Sequence, residues 1–185
     1  MQNLFDQLNS RCSLSKSLEQ RVEQYFLKVS FKKGDLILSQ GHRANFLYFI
    51  QKGVLHSYHF QKEKQISSWF YHENQFITSW YSFYTQQPSY EEIECLEDSS
   101  LYQISYNDFQ KLIEDSKDFG NFARILAEEM IVFIDKFSKE WSFLQAKEKY
   151  QLLLQYFPNI EQRVQLGYIA SFLGISQETL SRIRR

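Results

Sequence analysis

At 185 residues the chain holds one or two domains, and with 43% hydrophobic and 17% aromatic residues it has material for a real core, which excludes disorder. A net charge of −1 gives no whole-chain attraction to nucleic acid, and two cysteines, Cys12 and Cys95, are too few for a disulfide framework or a four-thiolate iron–sulfur cluster. No basic flank precedes an apolar run at the N-terminus, and the longest purely apolar run, Met130 to Ile134, is far too short to cross a bilayer, so a cytoplasmic protein without a membrane partner is expected.

In chain order, Leu14 to Leu27 has helical spacing, with Leu18, Val22, Tyr25 and Phe26 on one side and Ser17 and Gln20 placed as a capping box. From Phe31 the pattern changes to short runs of β-branched and aromatic residues. These are Leu36 to Leu38, Phe46 to Ile50, Val54 to Phe60 and Ile66 to Tyr71, punctuated by Gly34, Gly41 and Gly53. Glu92 to Cys95 and Ser100 to Ile104 continue the series, which predicts an antiparallel sandwich or barrel. Asn107 opens a short helix through Asp115. A long helix follows over 117–144, whose seam Phe119, Ala123, Leu126, Met130, Phe133, Phe137 and Leu144 is heptad-like. Ile125, Ile131, Val132 and Ile134 widen its apolar face beyond what one surface can cover, so this helix is expected to pair with its copy as well as with its own domain. Ala146 to Phe157 makes a further amphipathic helix, stopped by Pro158.

Arg163 to Arg185 reads RVQLGYIASFLGISQETLSRIRR. Ala170, Gly174 and Leu180 stand at the spacing of a helix-turn-helix: a small residue for close helix approach, a glycine for the turn, an apolar residue facing back into the core. Ser176 is placed to cap the second helix. Gln177 with Ser181, and Glu178 with Arg182, are four apart and share one face. Arg182 can grip guanine with two bonds and Glu178 can accept from cytosine N4, whereas Thr179, Arg184 and Arg185 suit phosphates. Charge distribution supports the division of labour. No Lys or Arg lies between Lys64 and Lys111, while the C-terminus carries Arg163, Arg182, Arg184 and Arg185.

The order of elements resembles the cyclic-AMP receptor protein / fumarate-nitrate regulator (CRP/FNR) superfamily of bacterial transcription regulators. The resemblance rests on KKGDLILSQGHRANFLYFIQKGVLHSY, Lys32 to Tyr58, and on YIASFLGISQETLSRIR, Tyr168 to Arg184. It implies an α+β protein: an antiparallel, jelly-roll-like β-roll sensor over 1–116, a dimerisation helix over 117–142, and a winged helix-turn-helix over 143–185. It also implies that the SQETLSR segment contacts bases. The family's Gly-Glu pair for ribose and Arg for phosphate fall near Thr78 and Ser79, and near Ser89 and Tyr90, so neither group is present here. A buried phosphate needs a paired cation or a dense set of donors, and residues 65–110 offer no cation; only Arg43 or Arg124 could reach in. The aromatic residues of this region give effector-pocket candidates instead, Trp69, Phe76, Trp80 and Tyr84, suited to a neutral, flat or apolar effector, with sandwich core as the alternative.

His42, His56, His59 and His72 lack metal-site spacing, since His56 and His59 are three apart on a strand, and no catalytic constellation or cofactor motif is present. The expectation is a non-enzymatic homodimeric regulator without cofactor or metal. Its partner is double-stranded DNA with a near-palindromic operator, and RNA polymerase and an unidentified neutral effector are left open as further partners. The alternative is a ligand-binding or protein-interaction β-roll module that does not bind DNA specifically.

Overall fold

In the computed structural model, which describes residues 1–184, two short helices precede the roll: α1 (Gln2–Asn9) and α2 (Lys16–Tyr25). The cap of α2 is Ser15, whose hydroxyl accepts from the Leu18 amide at 3.2 Å, so Ser17 lies inside the first turn and the expected capping box is displaced. The helix also ends earlier than its periodicity suggests. Phe26 turns extended, and Leu27 already pairs with Gln103.

Eight strands follow: β1 (Leu27–Phe31), β2 (Leu36–Leu38), β3 (Phe46–Lys52), β4 (Leu55–Gln61), β5 (Lys64–Tyr71), β6 (Phe76–Ile77), β7 (Glu92–Cys95) and β8 (Ser99–Ser105). They form two four-stranded sheets, ordered β1-β8-β3-β6 and β2-β7-β4-β5, with antiparallel pairing throughout. Every expected strand run is present. Buried residues of both sheets, including Leu47, Phe49, Ile50, Leu55, Ile77, Ile93, Leu101 and Ile104, build the roll's core. Gly53 is obligatory at its turn: φ is +123°, and a Cβ there would lie 2.1 Å from Ser99 Oγ.

A six-residue helix, α3 (Trp80–Thr85), interrupts the roll between β6 and β7. After β8, α4 (Tyr106–Asp115) is capped by Ser105, and α5 (Lys117–Phe143) is capped by Ser116. Phe119, Phe122, Ala123 and Leu126 of α5 are buried in the roll's core, so the heptad-like seam faces its own protomer. Ile131, Val132 and Ile134 are instead 66%, 66% and 54% exposed, which leaves a second apolar face uncovered within the chain.

The remaining helices are α6 (Ala146–Tyr156), α7 (Ile160–Arg163), α8 (Leu166–Leu173) and α9 (Gln177–Ile183). A capping box between Gln145 and Glu148 starts α6. Tyr150, Leu153, Phe157, Ile160, Val164, Ile169, Ala170, Leu173 and Leu180 form a second apolar cluster, joined by Val54, Phe70 and Leu96 from the roll. The expected wing is not formed among the described residues. All strands lie within 27–105, and the segment leading into α8 folds as α7, begun after Pro158 and held by the Val164 amide on the Ile160 carbonyl. Arg185 lies outside the described residues.

Candidate nucleic-acid interface and effector region

The α8–α9 unit has the local physics its residues imply. Gln165 leaves α8 without a side-chain cap, and Gly174 ends it with φ +68° and ψ 30° in the left-handed region. Ser176 then caps α9, its Oγ accepting from the Thr179 amide at 3.1 Å. Ala170 is buried at the helix contact and Leu180 is fully buried, so the inward side of α9 anchors it.

The outward side carries Gln177, Glu178, Ser181 and Arg182, all exposed, with Ser176 exposed at the start and Thr179 half-buried. Glu178 and Arg182 do not form the i,i+4 ion pair their spacing allows. Arg182 Nη2 instead donates to Thr179 Oγ1 at 3.1 Å, and no ion pair of Glu178 exists among the described residues. Gln177 is positioned by close approach of the helices: its Nε2 would lie 2.8 Å from a Cβ on Gly167. Arg184 differs from the others. Its Nε donates to the Glu161 carboxylate, which also accepts from Tyr150, so the end of α9 is tied to α6 and α7.

The unit is docked on the roll. β5 is an edge strand, and α8 closes part of that edge: the Ser67 amide donates to Ser171 Oγ at 3.1 Å, and Ser171 Oγ donates to the Gln65 carbonyl at 3.2 Å. Phe172 meets Trp69 and Phe70 at 5.4 and 5.7 Å. Tyr168 stacks near His56 at 4.7 Å. Arg163, before α8, grips Glu73 with two bonds of 2.8 and 2.7 Å and also meets Glu97. Burial would raise the Glu73 carboxyl. The Arg163 bonds and the Gly53 amide outweigh it and bring the pKa down to about 2. His56 is fully buried, with Nε2 2.9 Å from Ser67 Oγ and no partner for Nδ1; burial lowers its pKa to about 4, so the ring is neutral. Neither the contacts of Arg163 with Glu73 and Glu97 nor those of Ser171 with β5 are legible in sequence, because each joins residues more than 60 apart.

Of the residues expected near a cyclic phosphate, Ser79 and Ser89 meet each other, Thr78 is bonded to the roll, and Tyr90 is exposed beside Tyr81. Thr78 Oγ1 donates to the Phe46 carbonyl at 2.9 Å, and Ser89 Oγ donates to Ser79 Oγ at 3.2 Å; all three hydroxyl residues are buried. Glu91 lies beside Ser79, and burial raises its carboxyl above the usual range. Of the two other cations, Arg124 is paired with Glu128 at 2.6 Å, whereas Arg43 is exposed and lines, with His42 and Thr78, a pocket of about 260 Å³. The site thus presents buried hydroxyls and a carboxyl, with Arg43 at its edge.

The four effector-pocket candidates do not converge. Trp69 and Phe76 line one cavity of about 270 Å³, together with side chains of α5 and α6. Trp80 and Tyr84 stack on each other at 6.1 Å along α3 and border no part of that cavity. The physical reason is the turn of α3, which carries these two rings away from β5 and β6; the aromatic spacing alone could not reveal a helix there.

Residues 28–116 match the cyclic nucleotide-binding domain family. No curated protein matches the chain in sequence. Among solved structures, a regulator of the crp/fnr family from Eubacterium rectale is similar with TM-score 0.71 and 17% identity, over 92% of this chain and 82% of that one. The c-di-GMP responsive global regulator CLP of Xanthomonas campestris is similar with TM-score 0.70 and 14% identity, over 91% and 89%. A cAMP-bound PfPKA-R is similar with TM-score 0.52 and 18% identity over only 59% and 40%. The likeness to the two regulators therefore runs through the C-terminal helices, whereas that to PfPKA-R takes in a smaller part of the chain.

Proposed function

Since this chain carries a cyclic nucleotide-binding domain within the fold of CRP/FNR transcription regulators, we propose that it is a homodimeric DNA-binding transcription regulator of that type. The observation that carries the reading is the two-sidedness of α9. Leu180 is fully buried while Gln177, Glu178, Ser181 and Arg182 stand exposed, with Glu178 and Arg182 not spent on each other. Arg182 and Glu178 read base edges, Gln177 and Ser181 support them, and Ser176, Thr179 and Arg184 meet the backbone, Arg184 sharing its charge with Glu161. The division into a sensor over 1–116, a dimerisation helix over 117–142 and a DNA-binding unit over 143–185 belongs to this reading.

The exposed Ile131, Val132 and Ile134 of α5 pack against the same residues of a second copy, an isologous contact about a two-fold axis. Two α9 helices then enter successive major grooves about 34 Å apart on a near-palindromic site. In this reading the β-roll, which has Thr78 and Ser79, and Ser89 and Tyr90, where the family's Gly-Glu pair and Arg are expected, does not take a cyclic nucleotide as its ligand. RNA polymerase is a further partner in this reading, and no catalytic group is required by it. Selection of bound fragments from random-sequence duplex DNA, followed by gel shift with non-specific competitor, tests the proposal. The expected result is an enriched two-fold symmetric sequence. Binding without any enriched sequence would favour a roll that only packs its C-terminal helices.

A further inference from the structure

The cavity beside β5 is bounded by three parts of the molecule. Trp69 and Phe76 come from the roll, Leu126, Met130 and Phe133 from α5, and Tyr156 from α6. It shares no lining residue with the buried Thr78–Ser79–Ser89 group and is a separate space. Its walls are almost wholly apolar and aromatic, and Trp69 faces Phe133, Phe137 and Tyr156 at 5.3, 4.9 and 6.0 Å. A void among such rings forfeits dispersion contacts that an apolar occupant would restore.

The rim fixes the charge of that occupant. Arg11 and Glu129 are the cation and anion bordering the cavity, and they are bonded to each other at 2.8 Å. Arg11 also donates to the Gln7 carbonyl and side-chain amide, both at 2.8 Å. The pair carries no net charge toward the cavity, and burying an unmatched ligand charge would be costly. Neutral polar groups come from the amides of Asn74 and Gln75 and from Tyr71, Tyr156 and Trp69. A volume of about 270 Å³ lies at the small end of ligand pockets and suits a molecule of one or two aromatic ring systems.

We propose that this cavity binds an uncharged, apolar aromatic small molecule bearing at most one neutral polar group. Because its walls come from the roll, α5 and α6, the bound molecule holds the C-terminal unit on the roll. That regulatory consequence rests on the DNA-binding reading above; the binding itself does not.

The probe is N-phenyl-1-naphthylamine, a neutral fluorophore of two aromatic ring systems, phenyl and naphthyl, that brightens in apolar surroundings, titrated into the full chain. Saturable micromolar binding at one site per chain is expected, with quenching of tryptophan emission. The anionic relative 1-anilinonaphthalene-8-sulfonate should bind at least tenfold more weakly. Met130→Trp, which fills the cavity, should abolish binding while the circular dichroism spectrum is retained. Tyr84→Ala, on α3, should leave it intact, and Leu153→Phe serves as a second filling variant if Met130→Trp does not fold. Non-saturating binding, equal or tighter binding of the anion, or unchanged binding in the filled variants would overturn the proposal. Binding that appears only in an Ile131→Glu monomer would also overturn it, since the partner's helix would then occupy the space. DNA selection on probe-free protein is scored separately, so failure of the cavity and failure of DNA reading are told apart.

Discussion

Arg182 and His56 are opposite cases of a polar side chain in this fold, one exposed on α9 and one fully buried. Arg182 is exposed and held at 3.1 Å by Thr179, a light restraint that leaves most of the guanidinium fork available. Arg182→Ala should cost about 1–3 kcal/mol on the preferred sequence and relax choice at one base pair per half-site. Competition between the selected site and random duplex measures it; equal losses on both would assign Arg182 to phosphate alone. His56 sits on the other side of the unit, fully buried against Tyr168. Its pKa is about 4 in the fold against 6.5 unfolded, so the unfolded chain binds more protons between those values. Stability should therefore be flat above pH 6.5 and fall by about 3 kcal/mol as pH drops to 4, by the relation between pKa shift and free energy. Urea titrations of the native chain and His56→Phe over this range check the sign: the variant should lose most of the slope.

At the scale of elements, α9 is a seven-residue helix that cannot hold itself and depends on its cap and its one buried anchor. Ser176→Ala should cost about 1 kcal/mol through the lost Thr179 amide bond. Leu180→Ala should cost about 2–5 kcal/mol by leaving a cavity in the second apolar cluster. Thermal unfolding by circular dichroism orders them, and the reverse order would mean that α9 is held mainly by its N-terminus. Periodicity made most elements legible. Leu36, Phe46, Val54, Ile66, Glu92 and Ser100 were all expected near the starts of strands and all stand in or beside one. The failures are instructive. α1, α3 and α7 are eight, six and four residues long, too short for a helical period to declare itself. Leu27 closes the stretch with helical spacing yet is 56% exposed on an edge strand, because pairing with β8 supplies what another helical turn would not.

The whole molecule depends on how three surfaces of α5 are used. One lies in the roll, one lines the cavity with α6, and the third, with Ile131, Val132 and Ile134, is uncovered in the single chain. Replacing Ile131 and Ile134 together by Glu should convert a dimer to a monomer and weaken binding to the two-fold site by at least tenfold, a minimum set by the loss of one of two linked contacts. Sedimentation velocity read beside the gel shift decides the matter: a monomeric wild type would remove the basis for half-site spacing. No helix among the described residues is long and apolar enough to cross a membrane.

By itself the sequence determined six of the strands and the longer helices, where the turn glycines stand, and which residues of the C-terminal helix face outward. These follow from local rules: side-chain period, caps and backbone permissiveness act over a few residues. Only the tertiary structure decided that Trp69 and Phe76 share a cavity while Trp80 and Tyr84 do not, that Arg163 clamps Glu73 and Glu97, and that Ser171 closes the edge of β5. Those contacts join segments up to 106 positions apart, and what brings them together is the burial of apolar area across the entire chain, which no short window of residues contains.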